Sequence, residues 1–340
     1  MLTRTLAACV ALCALAPLWA TPARAEPVKK VFCVFDPSGA NGQVFQLMKD
    51  YKVEALAWGV DFELRPYTDE KLAADDFKAG KCDASLLTGT RLRPFHKFAG
   101  SLEAMGALPD YDTAERVIKS LSKPAAGKLM TNQEYEIAAI FPGGAIYLFV
   151  NDKSVNTVDA LAGRKIATLT HDDASKAMVK RVGASMVAAD VGTFSGMFNN
   201  HNVDACYAPA FAYDALELYK GLGDAGAVVR YPLAQLTLQV LIRTKDFPEG
   251  FGQKSRTMAA QNFDKGLKVA RDSEKRIPEK HWLTIPPDDM KRYDEMLRDV
   301  RVQLRDDAKL KLYDGKALTL FRKARCKKDP ARAECAEKVE

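Results

Sequence analysis

The sequence predicts a two-lobed α/β fold, a clamshell with a ligand cleft between its halves. Three observations carry that expectation. Strands and helices alternate at βαβ spacing in two separate blocks, residues 30–90 and 157–209. A short signature recurs at the same place in both blocks: Phe77, five residues, Asp83-Ala84, and Phe198, five residues, Asp204-Ala205. A third stretch, 227–243, alternates Leu236, Leu238, Val240 and Ile242 with Thr237, Gln239 and Leu241, as a strand returning to the first block.

Residues 1–25, MLTRTLAACVALCALAPLWATPARA, form a targeting segment. Arg4, the apolar run 6–20 and Ala23-Arg24-Ala25 supply the three regions of a cleaved secretory signal peptide. The run is shorter than the ~20 residues of a membrane span. Leu6-Ala7-Ala8-Cys9 has the look of a lipoprotein box, but it precedes any usable apolar region. The mature chain is expected to begin near Glu26, in an oxidising compartment. Apolar residues make up 47% and charged residues 28%, which excludes a disordered chain. The net charge of +6 becomes +4 once Arg4 and Arg24 are removed, and the excess is spread along the chain. Nucleic-acid binding concentrates such charge on a patch or tail, so no nucleic-acid partner is expected.

In the first block, 31–35 reads as a buried strand and Asp36-Pro37-Ser38-Gly39-Ala40-Asn41-Gly42 as a strand-to-helix loop. Gly39 and Gly42 either bring N–H groups to an anion at the helix start or simply make a tight turn. A helix follows to about Trp58, then a strand over 61–67, a helix over 70–78 and a strand over 83–87. That last strand opens into Thr88-Gly89-Thr90-Arg91. Residues 94–145 are mostly helical by pattern, ending in a strand over 136–141. Pro142-Gly143-Gly144 follows as a turn and hinge, and 145–150 is a second strand.

In the second block, Asn156 caps a helix that Gly163 ends. Residues 165–169 form a strand, Asp172 or Asp173 caps a helix ended by Gly183, and 187–189 form a strand. A helix over 191–200 and a strand over 203–207 complete the unit. Residues 253–276 form one amphipathic helix. After Pro286-Pro287, Met290, Tyr293, Leu297, Val300 and Leu304 recur at helical spacing as a packing stripe.

Of seven cysteines, Cys9 and Cys13 leave with the signal peptide. Cys326 and Cys335 enclose a short polar loop, and a bond there removes about 2–3 kcal/mol of chain entropy. Cys33 and Cys82 fall on strands that are neighbours in a 2-1-3 order, which suits a second bond. Cys206 is left as a buried thiol.

Catalysis finds little support. His96, His171, His201 and His281 share no metal spacing, and there is no G-x-S-x-G elbow. His171-Asp172-Asp173 at a strand end could hold a general base or a weak metal site, against the plainer reading of a capping or ligand-contacting turn. No cofactor and no metal are expected. Ligands of such sheets bind at the carboxyl ends of strands. The candidate residues are therefore Asp36, Ser38, Thr88, Arg91, Gly143, Gly144, Thr170, His171, Tyr207 and Pro209.

LAGRKIATL, VGASMVAAD and the F-x5-DACYAP stretch together resemble the solute receptors of tripartite ATP-independent periplasmic (TRAP) transporters. The matching residues are Asp159, Leu161, Gly163, Lys165, Ile166, Gly183, Ala184, Val187 and Asp204. Taken whole, with VFDPSGANG, FPGGAIYLFVND, GFGQKSR and the C-terminal cysteines, the chain is similar to a sub-family of solute-binding proteins. That sub-family carries a label as RND-type efflux pump components linked to aminoglycoside resistance. RND pumps span the membrane many times, and this chain has no span.

The resemblance implies the periplasmic-binding-protein fold. Lobe 1 is expected over 26–146 and 241–285, lobe 2 over 147–240, and a helical segment packing on both over 286–340. It implies a periplasmic, non-enzymatic receptor that binds a small polar, anionic solute and hands it to membrane transporter subunits. The alternative is an accessory or sensor protein, efflux-associated roles included. TRAP receptors place a carboxylate-clamping arginine where this chain has Ala167. The second lobe then offers no cation, and Arg91 is expected as the chief charged contact.

Overall fold

A computed structural model describes residues 26–340, so the expected signal peptide lies outside the described residues. The strands are β1 (Val28–Phe35), β2 (Val60–Tyr67), β3 (Ala84–Thr88), β4 (Tyr135–Val150), β5 (Lys165–Leu169), β6 (Ser185–Ala189), β7 (Ala205–Pro209), β8 (Ala227–Arg243) and β9 (Trp282–Leu283). They form one sheet in the order β2-β1-β3-β8-β4-β7-β5-β6, with β9 beside β8. The 2-1-3 order is present, and β1 runs parallel to both β2 and β3. In the second unit β5 runs parallel to β6 and β7.

The recurring signature has one structural meaning in both units. Val31 N–H donates to Asp83 Oδ2 at 2.7 Å, and Asp83 N–H donates back to the Val31 carbonyl at 2.8 Å. Lys165 N–H donates to Asp204 Oδ2 at 2.7 Å, and Asp204 N–H donates back to the Lys165 carbonyl at 2.8 Å. Each aspartate immediately precedes its own strand and satisfies an amide of the neighbouring strand that the ladder leaves without a partner. Phe77 and Phe198, which precede them, are both fully buried. The two α/β units are thus built alike.

Two long strands join the units. β4 and β8 run antiparallel from Tyr135↔Arg243 to Val150↔Ala227. Pro142-Gly143-Gly144, expected as a turn between two strands, is instead a register shift inside one. Gly144 has φ +100°, and a Cβ there would come within 2.8 Å of the Ala270 Cβ. Glycine is needed at this bulge because only it combines that backbone conformation with so close an approach. Proline fits here because it removes one ladder donor where the ladder is already irregular.

The helices Gln43–Ala57, Glu70–Lys78 and Asp173–Arg181 fall where the pattern placed them. The helix expected over 156–163 is only the 3-10 turn Asp159–Leu161, with Gly163 beyond it at φ +74°. The single helix expected over 253–276 is two, Phe251–Gln261 and Phe263–Arg276. They meet at Asn262, whose amide donates to the Met258 carbonyl at 3.0 Å and ends the first helix. Helices Pro287–Asp306 and Gly315–Lys328 follow. Tyr293, Leu297, Val300 and Leu304 of the first are buried at the expected spacing.

Disulfides join Cys33 to Cys82 and Cys326 to Cys335, and Cys206 is a free, buried thiol. Burial pushes the Cys206 thiol well above its ordinary pKa. Near the C-terminal disulfide, Arg301 and Arg325 are almost wholly buried. Arg325 donates to Glu334 at 2.7 and 2.9 Å, and also pairs with Glu340. Arg301 reaches Glu340 Oε2 at 3.2 Å. Their remaining donors cap the Met105 and Ala107 carbonyls, tying the final helices to the first unit.

Candidate ligand-binding cleft

The carboxyl ends of β1, β3, β5 and β7 face a common opening, and three cavities with shared walls occupy it. The outer one, about 620 Å³, is lined by Arg91, Glu70, Thr170, His171, Asp190 and their neighbours. A middle chamber of about 130 Å³ shares Pro37, Glu70, His171, Val191 and Leu216 with it and adds Thr88, Tyr207 and Pro209. A third, of about 90 Å³, shares Phe35, Pro37, Thr88, Phe211 and Leu236 with the middle one and reaches Gly143 and Gly144. The mouth is polar. The interior is dominated by Phe35, Pro37, Ile146, Phe194, Phe211 and Leu236.

Asp36 and Ser38 are not among the wall residues of these cavities. The Asp36 carboxylate turns inward, accepting Ser38 N–H at 2.8 Å and Phe45 N–H at 3.0 Å. A Cβ on Gly42 would collide with it at 1.9 Å, so Gly42 makes room for this carboxylate at the helix start. Asp36 thus caps the helix Gln43–Ala57 that an anion was imagined to cap. Pro37 lines the cleft in its place.

Three buried carboxylates, of which the sequence pointed only to Asp172, organise the turns after β3 and β5. Glu103 accepts N–H from Gly89 and Thr90 at 2.7 Å each and from Thr237 at 2.7 Å. It also accepts the hydroxyls of Thr90 and Thr237 at 2.8 and 2.9 Å. Its acceptor capacity is spent on structure. Asp172 accepts Arg93 Nη1 at 3.1 Å, the Ser175 hydroxyl and Ala174 N–H at 3.2 Å. Arg93 also donates to Thr90 and to the Gly100 carbonyl, and its guanidinium lies 5.1 Å from the Tyr313 ring centroid. Arg93 therefore ties the turn after β3 to the turn after β5 and has no freedom for a solute. Its signal in the sequence was slight: RLRP reads as two equivalent arginines, and only the fold buries one of them.

Glu70 is the third carboxylate. Its Oε1 accepts Thr88 N–H at 2.6 Å, while Oε2 lies 3.7 Å from Arg91 Nε. That separation exceeds hydrogen-bond reach. Arg91 Nε is buried and has no hydrogen-bond partner among the described residues. Burial raises the Glu70 pKa above the usual carboxylate value, against the opposing Thr88 bonds and the Arg91 charge. Burial likewise lowers the His171 pKa to about 4, with the Arg91 charge adding to the effect. His171 is therefore neutral near pH 7, able to donate and accept one hydrogen bond each. No group of three or more His, Cys, Asp or Glu among the described residues is placed to hold a metal ion.

With this geometry in place, comparison with known proteins becomes informative. A family model described as "Solute-binding protein AdeT 1/2" matches residues 52–340. The chain belongs to that family. It is 44% identical over 303 residues to "Probable solute-binding protein AdeT1" of Acinetobacter baumannii, covering 89% of this chain and 99% of that protein. It is 27% identical over 236 residues to "Probable solute-binding protein AdeT2" of the same organism, covering 69% and 98%. Among solved structures it is similar to a TRAP periplasmic solute-binding protein from Desulfovibrio salexigens with bound orotic acid. There the TM-score is 0.71 at 14% identity, over 88% of this chain and 99% of that one. A counterpart from Rhodoferax ferrireducens with bound malonate gives a TM-score of 0.69 at 12% identity, over 87% and 98%. These likenesses are of fold: this AdeT 1/2 family member has the two-lobed architecture of the TRAP receptors. No described helix is long and apolar enough to cross a membrane.

Proposed function

We propose that this chain is a periplasmic solute receptor, not an enzyme, that holds a small organic anion between two lobes and passes it to a membrane transporter. Lobe 1 comprises 26–146 and 241–285, lobe 2 comprises 147–240, and 286–340 braces both. The observation that carries the reading is Arg91. It stands in the wall of the polar mouth with a buried Nε that has no hydrogen-bond partner among the described residues, and the chamber beyond it is mostly apolar. A solute with a carboxylate at one end and an apolar body fits both parts. Orotate and malonate, bound by the structural relatives from Desulfovibrio salexigens and Rhodoferax ferrireducens, are carboxylates, as is the succinate bound by one from Shewanella oneidensis. A marine relative described as specific for aromatic acids holds metahydroxyphenylacetate.

The test begins with thermal shift of the mature chain against malonate, succinate, orotate and metahydroxyphenylacetate, since a ligand of the folded state raises the melting temperature. Calorimetry of the best binder then compares wild type with Arg91→Ala. A loss of about 2–5 kcal/mol is expected, as for removing one partner of a buried charge pair. Equal affinities would remove Arg91 from the site. Turnover of any bound acid would overturn the receptor reading.

A further inference from the structure

We infer that an anionic solute arriving at Arg91 displaces Glu70 from the guanidinium, and that Glu70 takes up one proton from solvent as the solute binds. The inference rests on the anion-receptor reading above and adds a residue and a proton to it.

The geometry is that of a pair held near each other but not bonded. Glu70 is the first residue of the helix Glu70–Lys78, is only 3% exposed, and is fixed by Thr88 N–H to its Oε1. Its Oε2 faces Arg91 Nε across 3.7 Å. Both residues line the outer cavity, and Glu70 also lines the middle chamber. A carboxylate entering here takes the guanidinium bidentately, the geometry arginine favours. Two carboxylates then flank one cation, and one of them, Glu70, is buried. Repulsion between two carboxylates that share a single cation raises the pKa of one of them. Glu70 is the one that yields, because burial already favours its neutral form. The proton goes from solvent to Glu70 Oε2, and the new O–H can donate to the bound acid.

The charged groups that share these cavities bear on this, including Asp172 in the middle chamber, which is paired with Arg93. Arg91 from the turn after β3 favours its ionised form, and Glu103 of the segment Ser101–Glu103 opposes it. Asp69 and Lys71 flank Glu70 on its own element, and Lys71 pairs with Asp75. Across the cavity stand Asp190 and neutral His171. His171 is the competitor for the proton, since the Arg91 charge that the solute would neutralise is one of the causes that hold its pKa down.

The experiment is calorimetry of the mature chain with metahydroxyphenylacetate, orotate, malonate and succinate, each in two buffers of different ionisation enthalpy. The expected result is uptake of close to one proton per acid bound in wild type. Affinity should fall by up to tenfold per pH unit at alkaline pH, the slope of a single linked proton. Glu70→Gln should abolish the uptake, flatten the pH profile and bind about tenfold tighter than wild type at pH 8 to 9. Binding without proton uptake overturns the inference and leaves the receptor reading standing. Uptake that survives Glu70→Gln but disappears in His171→Gln assigns the proton to His171 and also overturns it. Failure of all four acids to bind removes the anion reading and the inference together.

Discussion

Two of the arginine–glutamate groupings in the interior of this protein have opposite outcomes. In the C-terminal region, Arg301 and Arg325 have their donors taken up by Glu334, Glu340 and two backbone carbonyls. At the cleft, Arg91 and Glu70 stand 3.7 Å apart and Arg91 Nε bonds to nothing described. A saturated buried pair has a single low-energy arrangement, and removing one member strands the other. A loose pair at a cavity wall has capacity left over for a third party. Incomplete hydrogen bonding together with a place in the cavity wall separates Arg91 from the structural arginines; Arg256 also has an unpartnered buried Nε among the described residues, but it lines none of the three cavities.

The contrast can be broken from its strong end first. Arg325→Met should destabilise the chain by about 3–5 kcal/mol, because Glu334 and Glu340 lose a buried partner. Urea unfolding measures it, and a loss under about 1 kcal/mol would make the C-terminal network ornamental. Acid should come next. His96 accepts Ala99 N–H through Nδ1 at 3.3 Å as a helix cap, and burial lowers its pKa to about 4. The unfolded chain binds that proton near pH 6.5, so the folded state loses stability as pH falls from about 6.5 to 4. The loss is about 3 kcal/mol for the full window. His96→Gln should flatten that part of the stability profile.

Glu334 acts lower on the scale. Burial raises its pKa, but the Arg325 bonds and the surrounding guanidinium charges outweigh it and hold it at about 2. Its contribution is present above pH 4.5 and disappears as pH falls through 2, so Glu334→Gln should matter little below pH 2. Replacing Cys326 and Cys335 by serine should cost about 2–3 kcal/mol from the short loop they close. The smallest effect belongs to the cleft. The double variant Arg91→Met, Glu70→Gln should change folding stability by about 1 kcal/mol or less while abolishing anion binding. A large stability loss there would erase the distinction between the two arginine sites.

Much of the architecture was legible because it rests on local signals. Asp172 and the glycines at 163 and 183 punctuate helices and turns by side-chain capping and left-handed backbone, which neighbouring residues suffice to specify. The F-x5-D-A repeat was legible as a pattern, but its cause, an aspartate closing a strand end, needed the partner strand. The walls of the cleft followed from strand ends, so Thr88, Arg91, Thr170, His171, Tyr207 and Pro209 were within reach. Glu70, Arg93 and Glu103 as cleft groups were not. Their partners lie in other segments, as with Glu103 and Thr237, and a helix-initial acid such as Glu70 reads as a dipole partner of its own helix. The Pro142-Gly143-Gly144 stretch misled for a related reason: its residues belong to turns, and only the long β8 partner keeps them in a strand.

That bulge separates two properties that receptors usually vary together. β4 and β8 are bonded on both sides of it, and of the ribbon's three register irregularities this is the one that carries a glycine at positive φ, Gly144 opposite Leu236, so it is a soft point for a closing motion. If closure uses that point, the fraction of molecules in the closed form is set there, at the inner wall of the cleft and away from Arg91 at its mouth. Apparent affinity scales with that fraction for every ligand alike. A Gly144→Ala change, which pushes a Cβ against Ala270, should then multiply all dissociation constants by one common factor and leave their ratios untouched. Strength of capture and choice of cargo would be adjustable on separate dials.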